Sequence, residues 1–316
     1  MSATWPEADL RNLERHKEFD ATSPWRAPDR LRPGVTAVLR VKNEARTLPW
    51  ALPPLLRSTD AVVLVDNQSD DGSGDVARET AERLGLAHRL RVKQYPFDVR
   101  RCGPEHLDTP PDSVHSLAYF NNWAFAHVRT TFGLKWDGDM VLTTDGEALL
   151  SAFAWQVGRR ATTLLLPRHA LYIESERVGH LDLGLKNVEH YGYPMTEEYS
   201  HVKAFEWEFL GFPETSKHHR FPSGTAIEVK YLDQDEFAHW TDPSAFATSP
   251  RTPRKRHEYA VIAALREGRG DELDNVHRIE APVGTHIIDH VTRTWLPGAP
   301  RPLVHDAHVA HRAQAR

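Results

Sequence analysis

A single cysteine, Cys102, stands among 316 residues. That excludes an intrachain disulfide and any zinc cluster built on cysteine, and it fits a reducing compartment. Long apolar runs are missing as well. Runs such as AVVLV at 61–65 and TTLLLP at 162–167 fall far short of the ~20 residues that a membrane-spanning helix requires. There is no excess of positive charge: 39 Lys and Arg face 44 Asp and Glu, a formal charge of −5, so no global basic field points to nucleic acid. The opening stretch, MSATWPEADLRNLERHKEFD, has no apolar segment of the kind a secretory signal needs. These absences predict a cytoplasmic protein, at most peripheral to the inner face of the membrane.

What remains is ordinary for a folded chain, with 40% hydrophobic and 26% charged residues and enough length for one large domain or two smaller ones. VTAVLRV (35–41) and AVVLVD (61–66) are short continuous apolar runs, which predict strands covered on both faces, and HRLRVKQYPFD (88–98) is a weaker third. Between the first two, ARTLPWALPPLLRS has helical leucine spacing, but Pro53 and Pro54 predict a broken helix. DDGSGDVARETAERLG opens on capping residues and closes on Gly85, a conventional helix. SVHSLAYFNNWAFAHVRTTFG reads as another, and LKWDGDMVL as the strand that follows. The order β-α-β-α-β-α-β over 35–142 predicts a doubly wound, mostly parallel α/β sheet with helices on both faces and ligands at the carboxyl ends of its strands. Beyond 150 short strands at 161–174 mix with aromatic-rich segments, and SPRTPRKRHEY (249–259) reads as a basic loop whose Arg251, Arg254, Lys255 and Arg256 face solvent, a diphosphate or an anionic membrane.

Two carboxylates inside an apolar run, Asp137 and Asp139, are costly unless something pairs with them. Residues i and i+2 of an extended segment share a side, so the two can converge on one cation, and Gly138 permits close approach. Hard oxygen ligands without cysteine suit Mn²⁺ or Mg²⁺. Such a pair is expected to repel when unliganded, with raised carboxyl pKa values. Solvated acids at a strand-end turn are the plain alternative. VVLVDNQSDDGSGD places Asp66 at the end of the second strand, ahead of a Ser- and Gly-rich loop. A calcium loop fits the early spacings but fails at its twelfth position, Arg78, and follows a strand rather than a helix. A nucleotide pocket, with Asp66 accepting from a base or ribose, is the better reading.

Taken in order, the strand ending in Asn43-Glu44, the VDNQSDDGSGD loop, the Asn of YFNNWAFAH and KWDGDMVL resemble the nucleotide-sugar glycosyltransferases of family 2, with the GT-A fold, over residues 35–145. RVKNEA lacks the proline that usually precedes the Asn-Glu of that family. The resemblance implies that Arg40, Asn43 and Glu44 line the nucleoside pocket beside Asp66. Asn122, or its neighbour Asn121, would sit near the donor, and Asp137 and Asp139 would hold the metal on the donor diphosphate. His239 would be a candidate third metal ligand.

The implied reaction is inverting transfer of a sugar from a nucleoside-diphosphate sugar to a hydroxyl acceptor (a glycan, a lipid-linked glycan or a small molecule). Asp139 stabilises the departing charge, and an Asp or Glu of the second half acts as general base. In KAFEWEFLGFP, an extended chain would put Glu206 and Glu208 on one side and Phe205, Trp207 and Phe209 on the other. Glu208 is favoured as base over Glu206, Asp233 and Asp235, and ordinary surface acids above a core stripe are the alternative. Trp207 and Trp240 are candidates for stacking on a sugar or for core packing.

The chain so divides into an N-terminal extension and linker (1–33), a nucleotide-sugar-binding half of GT-A type (34–150), an acceptor-binding half of the same catalytic domain, mixed in structure (151–296), and a tail (297–316). A sugar-phosphate nucleotidyltransferase would share the architecture but want a Gly-rich loop after the first strand, where RVKNEARTL has no glycine. A non-catalytic sugar- or nucleotide-binding protein would have no need of intact Asp66, Asp137 and Asp139.

Overall fold

Alternate residues of the first two strands feed two different cores, which is what continuous apolar runs are for. In β1 (Arg32–Val41), Val35, Ala37, Leu39 and Val41 enter one core and Val38 the other. In β2 (Ala61–Asp66), Val62 and Leu64 enter the first, Val63 and Val65 the second. The first core is closed by α1 (Leu48–Ser58), α2 (Ser73–Arg83) and α5 (Thr144–Gln156), the second by α4 (Leu117–Phe125). The computed structural model describes residues 11–21, 31–101, 103–157, 162–204, 208–234 and 252–294.

β3 (Leu90–Gln94) and β4 (Thr130–Asp137) complete a parallel half with strand order β3-β2-β1-β4. Beyond β4 the sheet turns mixed. β7 (Val178–Pro194) runs antiparallel to both β4 and β6 (Thr162–Ile173), and β11 (Ala226–Tyr231) lies parallel to β6 and takes β5 (Met140–Leu142) on its far side. β10 (Lys217–Arg220) pairs with the start of β6, and β12 (Val276–Glu280) with the start of β7. α6 (Thr252–Arg266) covers one face of this half through Val261, Ile262 and Leu265. α7 (Ile287–Arg293) covers the other through Ile287, Ile288 and Val291. A separate hairpin, β8 (Ser200–Lys203) with β9 (Glu208–Gly211), packs on α4, and the short α3 (Gly103–Asp108) precedes that helix. This is the mixed α/β fold that the alternation predicts, mostly parallel with helices on both faces, and it is consistent with the GT-A type. No helix among the described residues is long and apolar enough to cross a membrane.

Several local expectations are corrected. α1 is one unbroken helix despite Pro53 and Pro54. Two interior prolines cost about 3 kcal/mol each. Leu48, Leu52, Leu55 and Leu56 are all fully buried, and at about 1.5–3 kcal/mol each they outweigh that cost. α4 ends at Phe125, and Thr130–Gly133 belong to β4. The run through 142 is not one strand: β4 stops at Asp137, the chain turns at Gly138-Asp139, and β5 pairs elsewhere in the sheet. The basic segment is helical from Thr252, with Pro253 in the first turn where a missing N–H costs nothing. Residues 11–21 lie against the parallel half, where the Phe19 ring sits 5.7 Å from Tyr95 and 5.5 Å from Trp123.

Candidate active site

A cleft of about 710 Å³ opens at the carboxyl ends of β1 and β4, where the strand order reverses direction around β1. That switch point is where open α/β sheets bind ligands. Asp137 ends β4, directly opposite Arg40 on β1, and the Arg40 guanidinium bonds its carboxylate and the Asn121 side chain. The turn that follows is fixed from two sides: the Trp136 indole donates to the Met140 carbonyl at 2.8 Å, and the Val229 N–H donates to the Asp139 carbonyl at 2.8 Å. Gly138 is required there, because a Cβ would come within 2.5 Å of Glu44 Cγ. Both aspartates and Glu44 therefore face the same cleft, brought together by a turn rather than by strand alternation.

The electrostatics correct a second expectation. Burial would raise the Asp137 carboxyl, but Arg40, then Lys135 and Arg168, override it and hold the group below the usual carboxylate range. The unliganded pair is cation-compensated, not a cluster of like charges. Asp139 has Lys230 at 4.0 Å. Among the described residues the cleft is lined by eight Lys and Arg side chains against six Asp and Glu, in a chain whose formal charge is −5.

Much of that charge sits in a buried network that the sequence reading missed. Glu228 on β11 accepts from Arg168 Nε at 2.6 Å and Lys230 Nζ at 2.7 Å, with Arg254 of α6 at 3.5 Å. Arg254 reaches Glu189 at 3.0 Å and the fully buried Glu258 at 2.8 Å, and Lys255 reaches Glu258 at 2.7 Å. Burial would raise Glu258, but Lys230, Lys255 and Arg254 bring it down to about 2. Arg254 and Lys255 thus form the cleft wall instead of facing solvent, while Arg256 is exposed. Arg251 lies outside the described residues. The available signal was the interruption of apolar strands by charge, as in LLLPRHALYI and AIEVKY.

The other predicted residues divide. Glu208 lines the cleft with its carboxylate 3.8 Å from Lys135 Nζ. Asp66 is buried at the end of β2 and accepts from Ser69 N–H at 2.9 Å and the Gln94 side chain at 3.2 Å, bracing its loop; Asn67, not Asp66, lines the cleft. Asn43 takes a left-handed φ of 60°, which asparagine tolerates, and it accepts from Asp70 N–H at 2.9 Å, while Glu44 N–H donates to Ser73 Oγ at 2.8 Å. These bonds lace the end of β1 to the 69–73 loop. Asn122 pins β8, exchanging two 2.8 Å bonds with the His201 backbone, and Asn121 is the neighbour that reaches Arg40. Asp233 pairs with Arg46 on the exterior at 2.8 Å. His239, Glu206, Asp235, Phe205, Trp207 and Trp240 lie outside the described residues.

The solved structures that this fold resembles include glycosyltransferases. A mannosyltransferase, PcManGT from Pyrobaculum calidifontis in complex with GDP-Man and Mn²⁺, shares 21% identity over 45% of this chain and 41% of its own, with a TM-score of 0.31. Glucosyl-3-phosphoglycerate synthase from Mycobacterium tuberculosis, in complex with Mn²⁺, uridine diphosphate and phosphoglyceric acid, shares 15% over 45% and 44%, with a TM-score of 0.27. S. aureus TarS 1-349 shares 12% over 76% and 75%, with a TM-score of 0.33. The chain spans less than half the length of the first two. No protein-family model and no curated protein matches the sequence.

Proposed function

We propose that this protein is a metal-dependent, inverting glycosyltransferase that moves a sugar from a nucleoside-diphosphate sugar to a hydroxyl acceptor. The observation that carries the reading is the Asp137-Gly138-Asp139 turn, set at the carboxyl end of β4 in a cleft with net positive lining. Such a cleft suits an anionic ligand, and two carboxylates at its centre can hold a divalent cation that bridges to that ligand.

The donor set fits a hard divalent ion. Asp137 and Asp139 supply oxygen ligands, and Glu44 lies against Gly138. Two protein carboxylates would leave the remaining positions to diphosphate oxygens and water; among the described residues no three Asp, Glu, His or Cys side chains group closely enough to hold an ion by themselves. Mn²⁺ or Mg²⁺ bound there would offset charge on the leaving diphosphate. Asp137 and Asp139 hold the ion, with His239 as a further ligand. Arg40, with Asn43, Glu44 and Asp66 shaping the ends of β1 and β2 and Asn122 positioning β8, forms the donor side over residues 34–150. The acceptor side belongs to 151–296. There Glu208 takes the proton of the attacking hydroxyl on the face opposite the leaving group, the geometry that inverts configuration.

The test is a panel of nucleotide sugars with Mn²⁺, read by thermal melting. A ligand that binds only the folded state raises the melting temperature. One nucleoside family should stabilise the chain, and more strongly with Mn²⁺ than without. A panel with no shift under either condition would remove the reading.

A further inference from the structure

The floor of the cleft holds buried hydrogen-bonding atoms that nothing in the fold satisfies. His201, on β8, is only 5% exposed and lines the cleft, yet neither ring nitrogen has a partner. Arg40, also in the cleft lining, has its Nε buried and equally unpartnered, while Asn121, whose Nδ2 is unpartnered too, lies behind Arg40 and outside the lining. Lys135 Nζ lies 3.6 Å from Glu189 and 3.8 Å from Glu208, beyond hydrogen-bond distance of either. Buried polar groups in native proteins are nearly always satisfied, so a cluster of orphans in one place asks for an occupant.

The ring is placed, not loose. Asn122 clamps the His201 backbone by both its N–H and its carbonyl, and the rings of Phe125 and Tyr193 pack 5.4 Å and 5.7 Å away. Burial, then Lys135 and Arg40, depress the imidazole well below its usual range, so it is neutral and presents one N–H. Donors predominate here: a guanidinium N–H and an imidazole N–H without partners, and the Lys135 ammonium, which is ion-paired with Glu189 and Glu208 but hydrogen-bonded to neither. A neutral hydroxyl would leave most of them unanswered, whereas an oxyanion with several lone pairs answers them together.

We infer that Lys135 and His201 form a binding subsite for an oxyanion, a carboxylate or phosphate, carried by the acceptor substrate. That an oxyanion binds there rests on this cluster; assigning it to the acceptor rests on the glycosyltransferase reading. His201 and Glu208 lie on the same face of the β8–β9 hairpin, since His201 pairs with Leu210, two residues from Glu208. An acceptor anchored by its anionic group at His201 would therefore present a hydroxyl toward the proposed base.

The experiment uses the full chain in a non-coordinating buffer, without metal or nucleotide, titrated with inorganic phosphate and, separately, with acetate. At least one anion should raise the melting temperature saturably, and the stronger of the two identifies the group. His201→Phe keeps the ring's bulk but removes its nitrogens; it should melt no lower than the parent and weaken the anion response at least tenfold. Lys135→Met should weaken it likewise, and His201→Gln, which restores a donor, should recover part of it. No response from the parent, or an undiminished response in His201→Phe and Lys135→Met, would overturn the subsite. A His201→Phe chain that loses stability while its anion response stays intact would make this a water-bridged structural histidine, which also overturns it. A final arm adds UDP or GDP with Mn²⁺. If the nucleotide binds and the anion response persists, the subsite is separate from the diphosphate site; if the nucleotide abolishes the response, the proposal fails. If neither nucleotide binds while the anion response stands, the glycosyltransferase reading fails and the subsite survives.

Discussion

Replacing Glu228 with Gln removes one charge from the centre of the cleft wall and changes little else in shape. The carboxylate is 7% exposed and accepts from Arg168 Nε at 2.6 Å and Lys230 Nζ at 2.7 Å, with Arg254 at 3.5 Å. Hydrogen bonds to charged groups contribute about 1.5–3 kcal/mol each, and stripping one partner from a buried ionic cluster costs about 3–5 kcal/mol. Arg168 and Arg254 keep Glu189, and Arg254 also keeps Glu258. The expected loss for Glu228→Gln therefore sits at the lower end, about 3 kcal/mol. Urea unfolding at neutral pH measures it, with an unchanged slope against denaturant confirming that the two unfolding reactions compare.

The pH dependence follows from the same geometry. Burial would raise the Glu228 carboxyl, but Arg168, Lys230 and Arg254 outweigh burial and hold it well below the usual range. A carboxylate lowered in the folded state stabilises above its unfolded pKa, and that contribution is lost as pH falls through the folded value. The gap between parent and Glu228→Gln should thus be constant between neutral pH and the ordinary carboxylate range, then close on further acidification. A gap below about 1 kcal/mol, or one that widens in acid, would refute the network's role in holding α6 to the sheet.

Glu258, held at about 2, should make Glu258→Gln less stable than the parent above the ordinary glutamate pKa of 4.5, with the difference fading as pH falls toward 2; equal urea midpoints at neutral pH would contradict this. Gly138→Ala places a methyl 2.5 Å from Glu44 Cγ, so Glu44 and the turn must shift; the melting temperature should fall and the Mn²⁺ concentration needed for donor binding should rise, as calorimetry can measure. Asp66→Ala leaves the Ser69 N–H without its acceptor and should cost about 1–3 kcal/mol of stability as well as weakening nucleoside diphosphate binding. Unchanged nucleotide affinity in a folded variant would confine Asp66 to bracing the loop.

The parallel half was legible because its signals are local: AVVLVD is apolar at every position because both faces are covered, and DDGSGDVARETAERLG carries its own helix ends. The failures came where tertiary packing outweighed a local rule. Four buried leucines carry α1 through two prolines, and TPRKRHEY is helical because Glu258, Arg254 and Lys255 find partners inside the cleft wall. In the site, Asp137 and Asp139 could be singled out as acids in an apolar run, but the cations that compensate them come from β1, β4, β6 and β11. That assembly depends on strand order, which single-strand patterns do not encode. His201 left no mark in the sequence at all, since only the fold reveals that its nitrogens face nothing.

The central claim is that Asp137 and Asp139 hold a divalent ion for a nucleotide-sugar diphosphate. Thermal melting of the parent and of Asp139→Asn, each with donor alone, Mn²⁺ alone and both together, tests it most directly. In the parent the combined shift should exceed the sum of the separate shifts, because each ligand completes the other's coordination. Asp137 is already compensated by Arg40, and Asp139 has Lys230 at 4.0 Å. Asp139→Asn should accordingly melt at or slightly below the unliganded parent and show no excess shift. An excess shift that survives Asp139→Asn, alongside a clear loss of unliganded stability, would assign these acids to the fold and contradict the account.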